Sequence, residues 1–198
     1  GSEMCIRDRK TLRDSIKFKG VGLHTGCNVN MILEPAKENY GIKFQRIDIE
    51  KSPIIAANID FVNETQRSTT LEKDGIKIVT VEHLMSALYA LGVTNVLIKL
   101  DNLEVPILDG SAKYFVEGIQ KVGLKVQNAP LKTIKLPDSI RYTDKESGSE
   151  ILFVPANNFR LSALLDYENP VLGTQYAEIK DFDNYPEEIA TCKTFVLL

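Results

Sequence analysis

Glu82 and His83 stand side by side in the stretch Thr80-Val81-Glu82-His83-Leu84. A neutral imidazole can give a lone pair to a metal ion. A carboxylate beside a metal-bound water can take its proton. An adjacent Glu-His pair can therefore supply a general base and one zinc ligand at one place. The surrounding segment, 79–92, reads as a strand end followed by a helix. Thr80 is placed to cap that helix, because a threonine hydroxyl can accept an orphan N–H of the first turn. Leu84, Ala87, Leu88 and Leu91 recur at helical spacing and make one apolar face. Gly92 stops the helix. Both polar residues then fall in the first turn, where the helix dipole favours negative over positive charge. A plainer explanation fits the same residues: a capped helix that begins with two solvated side chains.

His24 lies in a second stretch with chemical potential, Gly20-Val21-Gly22-Leu23-His24-Thr25-Gly26. A dinucleotide-binding loop would need a third glycine where Thr25 stands, and a helix after it. The alternation over Val29–Leu33 predicts a strand instead, so that possibility fails. The segment reads as a hairpin whose glycines supply turn conformations, either purely structural or presenting His24 to a cleft. Asp109 sits in a tight connection, Pro106–Ser111, just ahead of a helix that Ser111 can cap. There it is a turn residue, at most a supporting one. Cys192 lacks both an activating base and a helix start, which argues against a cysteine nucleophile.

Composition narrows the class. A formal charge of −3 over 198 residues argues against a nucleic-acid partner held through its phosphates. No apolar run approaches the length needed to span a bilayer, and the N-terminus lacks the apolar segment of a signal peptide. Cys5, Cys27 and Cys192 are scattered and odd in number, which suits a reducing cytoplasm and no Cys-based metal site.

The elements that must position these residues are short. Strands are expected at Ser15–Lys19, Val29–Leu33, Gly41–Ile47, Ile54–Ala57, Ile76–Val79 and Asn95–Leu100. Two helices are expected, one at the Glu-His pair and one from Ser111 through Val122. A polar, proline-containing link at Gln127–Pro130 marks a domain boundary. Beyond it, a meander is expected over Leu131–Leu136, Ile140–Thr143, Glu150–Pro155 and Phe159–Asp166. A last helix opens at Pro186. The order sheet, helix, sheet, helix predicts an α+β fold with a first domain over 10–127 and the start of a second over 128–198. Residues 1–9 have no periodicity and read as a non-native leader. The apolar end, Thr194 to Leu198, reads as a cut inside an element, so the chain is expected to be a fragment.

Three stretches in this order, Gly20–Gly26, Thr80–Leu84 and Glu104-Val105-Pro106-Ile107-Leu108-Asp109-Gly110-Ser111-Ala112, resemble the zinc-dependent UDP-3-O-acyl-N-acetylglucosamine deacetylases of lipid A biosynthesis. The resemblance runs from about residue 10 to 195. It implies two similar sheet-plus-helix domains forming a sandwich around a cleft, the second truncated here. It implies a zinc cofactor and removal of the N-acetyl group from a UDP-linked, acylated glucosamine. Glu82 would be the base, His83 one zinc ligand, and Thr194 a group that helps stabilise the oxyanion. Phe195 would contact the sugar or acyl chain, and His24 would lie near the metal and touch substrate. The family's other two ligands come from a His-Lys-x-x-x-Asp segment. The chain's only histidines are His24 and His83, so it is expected to be inactive alone. The competing expectation is a non-catalytic sugar-nucleotide or lipid-binding module of the same fold.

Overall fold

The computed structural model describes residues 8–132, 134, 136–167 and 170–194. The chain divides into two units, one made of the residues up to Leu131 together with those from Phe182 onward, the other of Lys132–Asp181. Helices and strands are mixed throughout, as an α+β fold requires.

The first unit is built on a five-stranded sheet. Its strands are β2 (Ile16–Val21), β3 (Asn28–Pro35), β4 (Ile42–Arg46), β5 (Ile54–Ala56) and β9 (Val96–Leu100), in the spatial order β2-β3-β9-β4-β5. Only β4 and β9 run parallel. Side chains alternate across a strand, and the buried set follows that period: Val29, Met31 and Leu33 on β3, Val96, Ile98 and Leu100 on β9, and Phe44 on β4. Helices α1 (Glu82–Ala90) and α2 (Lys113–Val122) bury Leu84, Ala87 and Leu88, and Phe115, Val116 and Ile119, in the same core. Phe18 meets Phe115 edge to face at 5.2 Å. A Cβ at Gly118 would stand 2.8 Å from the Phe18 ring, so only glycine lets α2 approach β2 this closely. Three short strands, β6 (Val62–Glu64), β7 (Thr70–Lys73) and β8 (Ile76–Ile78), form a separate antiparallel sheet that leads into α1.

Strand β1 (Asp8–Leu12) pairs with β10 (Leu124–Pro130). Two sequence expectations change here. Asp8 and Arg9, set aside as leader, are part of β1. Gln127–Pro130, read as a link, is the end of a strand. Buried polar groups explain the second difference. Gln127 accepts a bond from Asn95 Nδ2 at 2.7 Å and donates Nε2 to the Ala36 carbonyl at 2.9 Å. Thr11 donates its hydroxyl to the Asn95 carbonyl at 2.7 Å. The polar residues that suggested a linker are the ones that fasten β10 to the unit.

The second unit contains two hairpins, β11 (Ile140–Thr143) with β12 (Glu150–Phe153), and β13 (Leu161–Asp166) with β14 (Thr174–Ile179). The described residues of 131–136 form no strand, whereas β14 is one that the periodicity did not mark. Every residue of β11, β12 and β13 is exposed. The last helix, α3 (Tyr185–Glu188), carries Pro186 in its first turn and returns Tyr185 and Ala190 to the core of the first unit.

Candidate functional site

Glu82 and His83 are the first two residues of α1, and both are half-buried. The chain reaches them through Val79, which pairs with the 103–105 segment: Val79 N–H donates to the Leu103 carbonyl at 2.9 Å, and Val105 N–H to the Val79 carbonyl at 3.0 Å. Thr80 follows in a left-handed conformation, φ +59°. A β-branched residue there is uncommon and is strained by roughly 1–3 kcal/mol. The sharp turn redirects the chain from the strand into the helix. Glu82 then folds its carboxylate back, so that Oε2 accepts the Thr69 N–H at 3.0 Å.

The expected Thr80 cap does not form; Val81 occupies the cap position, and no side chain bonds there. The Thr80 side chain is buried and donates its hydroxyl to Glu104 Oε1 at 2.8 Å. The left-handed turn leaves Thr80 one residue ahead of the cap position, with its hydroxyl donating to the buried carboxylate, and a hydrogen bond to a charged acceptor is among the stronger ones.

Glu104 opens the third stretch of the resemblance, but sequence reasoning gave it no role of its own. It is 1% exposed. Its Oε1 also accepts the His24 N–H at 3.0 Å, and its Oε2 accepts the Thr25 N–H at 2.9 Å and the Thr25 hydroxyl at 2.7 Å. Burial alone would raise its pKa. The bonds from His24, Thr25 and Thr80 outweigh burial and hold the carboxyl below its ordinary value. Four donors fill the carboxylate's acceptor sites. Gly22 makes the room: a Cβ there would collide with Glu104 Oε2 and Thr25 Oγ1, and would stand 2.8 Å from Glu104 Cδ. Glu104 gave no local signal of this role, since it lies outside the named strands and its side-chain partners are all distant in sequence.

His24 itself is exposed, on the turn between β2 and β3. Thr194 is placed elsewhere on the same connecting segment, 104–111. Its N–H donates to the Gly110 carbonyl at 2.7 Å. Lys193 Nζ bonds the Asp109 carbonyl at 2.8 Å and Asp109 Oδ2 at 3.0 Å. Asp109 Oδ1 also accepts the Ser111 N–H and hydroxyl, at 3.1 and 2.7 Å. Burial raises the Asp109 pKa, but Ser111 and Lys193 together bring it below the usual value. Ser111 in turn accepts the Lys113 N–H at 3.2 Å, but the expected Ser111 cap does not form: α2 begins at Lys113, Ala112 occupies the cap position, and no side chain caps it. Upstream of Thr194, Tyr185 bonds the Ser86 hydroxyl on α1, and Phe182 meets the Tyr89 ring at 5.4 Å.

The three stretches singled out in the sequence are therefore joined. Segment 104–111 binds the His24 turn and the entry to α1 at one end, and the Thr194 backbone at the other. Among the described residues, the side chains of His24, Glu82, His83 and Thr194 make no hydrogen bond with one another. Phe195 lies outside the described residues. Among the described residues, no three His, Cys, Asp or Glu side chains are grouped to hold a metal ion. A catalytic zinc usually takes three protein ligands, so the described residues do not by themselves fit one. None of the helices among them is long and apolar enough to cross a membrane.

A strand-to-helix turn that seats a Glu-His pair in the first turn of a helix, on an α+β scaffold, is the frame that comparison with known proteins then specifies. Residues 9–198 match the family model described as UDP-3-O-acyl N-acetylglycosamine deacetylase. The chain belongs to this family. It is 44% identical over 190 residues to a bifunctional enzyme LpxC/FabZ of Bacteroides thetaiotaomicron, covering 96% of this chain and 41% of that protein. It is 42% identical over 193 residues to the UDP-3-O-acyl-N-acetylglucosamine deacetylase of Chromohalobacter salexigens, covering 96% and 63%. The chain thus spans less than two thirds of the length of these relatives.

Proposed function

We propose that the chain is part of a deacetylase that removes the N-acetyl group from UDP-3-O-acyl-N-acetylglucosamine in cytoplasmic lipid A biosynthesis. The observation that carries this reading is the Glu82-His83 pair at the start of α1, in a chain that matches the deacetylase family over residues 9–198. Glu82 takes the proton of the attacking water. The Thr69 N–H holds its carboxylate in one orientation, leaving the other oxygen to act. His83 serves as one ligand of a zinc ion whose further ligands belong to the part of the protein outside this chain. Thr194 is the group beside the developing oxyanion, and Phe195 and His24 contact the substrate. The fixed position of the Thr194 backbone on Gly110 supports the first of these roles. Free, exposed Cys27 and Cys192 are in keeping with a reducing compartment.

The test is the zinc content of the whole gene product and of its His83→Ala variant, measured by elemental analysis after equilibrium dialysis. The expected result is one zinc per protein in the parent and a fraction of that in the variant. Equal zinc in both would remove His83 from the ligand set. A parent that binds the UDP-sugar and releases no acetate would favour the non-catalytic binding module.

A further inference from the structure

The Thr80 turn is strained, and it sits immediately ahead of Val81 and Glu82. Something must hold it, because an unsupported left-handed threonine relaxes to an ordinary conformation and carries the following residues with it. The hydroxyl of Thr80 is bonded to one side chain, Glu104. That carboxylate is also bonded to both backbone N–H groups at the His24-Thr25 tip and to the Thr25 hydroxyl. The Val79 pairing with Leu103 and Val105 brackets the same contact from the backbone side. Gly22, with no side chain, lets the hairpin close over Glu104.

We propose that Glu104 is a positioning residue: its buried carboxylate clamps the left-handed turn at Thr80 to the Gly22–Thr25 hairpin, and so fixes where Glu82 and His83 enter α1. Among the described residues it makes no hydrogen bond with either of those side chains. It acts through Thr80 on one side and through the His24-Thr25 backbone on the other. A shift at Thr80 would move the Glu82 carboxylate off the Thr69 N–H and loosen the first turn of α1, whose first closing bond runs from Met85 N–H to the Val81 carbonyl at 2.9 Å. The consequence for catalysis rests on the reading of Glu82 and His83 given above. The clamp itself does not, and it is tested without turnover.

Amide hydrogen exchange on the full 198-residue chain separates a clamp from a general stabiliser. In Glu104→Gln, all four bonds lose the charge that strengthens them, and the oxygen replaced by the amide nitrogen also loses its backbone N–H partner, His24 at Oε1 or Thr25 at Oε2, so both ends of the clamp weaken. The expected result is at least about ten-fold faster exchange at Thr25, Thr69 and Met85, the scale of a local opening, with Leu33 and Ile98 in the central sheet unchanged. Thr80→Gly added to Glu104→Gln should restore much of the protection at Thr69 and Met85, because glycine adopts the left-handed turn unaided. It should not restore Thr25. If Glu104→Gln does not fold, Thr80→Val tests the Thr80 side alone: a methyl replaces the hydroxyl, so Thr69 and Met85 should exchange faster while Thr25, still bonded to Glu104, should not. A parallel rise at Leu33 and Ile98 would show that Glu104 merely stabilises the unit. Unchanged Thr69 and Met85, or no recovery with glycine at 80, would equally overturn the proposal.

Discussion

Replacing Gly22 with alanine should damage the fold far more than one methyl group ordinarily does. The backbone at Gly22 is not in the left-handed region, so alanine meets no conformational penalty there. The whole effect comes from contact. The new Cβ would collide with Glu104 Oε2 and Thr25 Oγ1. Neither can step aside, because Oε2 is held by the Thr25 N–H and the Thr25 hydroxyl, at 2.9 and 2.7 Å. Displacing Oε2 forfeits both bonds, and a hydrogen bond to a charged group is worth about 1.5–3 kcal/mol. The loss is therefore about 3–6 kcal/mol, offset by roughly 0.4–1 kcal/mol from the stiffer unfolded chain. Gly26 supplies the control. It has φ +64° and nothing within 4 Å of a built Cβ, so Gly26→Ala should lose only the left-handed penalty of about 1–2 kcal/mol. Urea unfolding, followed through the amide signals of β3 and β9, compares the two. If Gly22→Ala costs no more than Gly26→Ala, Glu104 is not pinned as described and the reasoning fails.

Acid should act through the same carboxylate. The folded protein holds Glu104 below its ordinary 4.5, so it binds that proton less readily than the unfolded chain. The stabilisation is complete above about pH 4.5 and is lost as the pH falls through the lower folded value; an acid titration of stability should be flatter in Glu104→Gln, and identical curves would contradict this. Tyr185 is 2% exposed and bonds Ser86, so Tyr185→Ala should destabilise the first unit by about 3–5 kcal/mol, as large-to-small changes of buried aromatics do. It should also make residues 182–194 sensitive to limited proteolysis, and unchanged resistance would show that Tyr185 does not anchor them.

The local patterns were legible where one element decides them. The 3.6-residue spacing of Leu84, Ala87 and Leu88 gave the buried face of α1, and the alternation over Val29–Leu33 gave β3. Reading failed where a distant partner decides the outcome. Thr80 has the local look of a helix cap, yet it makes a left-handed turn one residue ahead of the cap position and donates its hydroxyl to a glutamate 24 residues further along. Gln127–Pro130 has the composition of a linker, yet Arg9 pairs with Gln127, and Asn95 and Ala36 satisfy its side chain. β14 went unseen because Thr174-Gln175-Tyr176-Ala177-Glu178-Ile179 does not alternate apolar and polar residues. In the candidate site, the Glu-His pair was visible because its two residues are adjacent. Glu104 was invisible because its meaning lies wholly in tertiary contacts.

The central claim, that Glu82 is the general base of a deacetylase, is tested most directly by Glu82→Gln in the whole gene product. Zinc content and acetate release from UDP-3-O-acyl-N-acetylglucosamine would be measured on the same preparation. The amide keeps the size of the side chain and its carbonyl can still accept the Thr69 N–H, but it cannot take a proton. Loss of a general base lowers the rate by about 10² to 10⁴, so the account predicts parental zinc with turnover reduced by that factor. Parental zinc with parental turnover would contradict it.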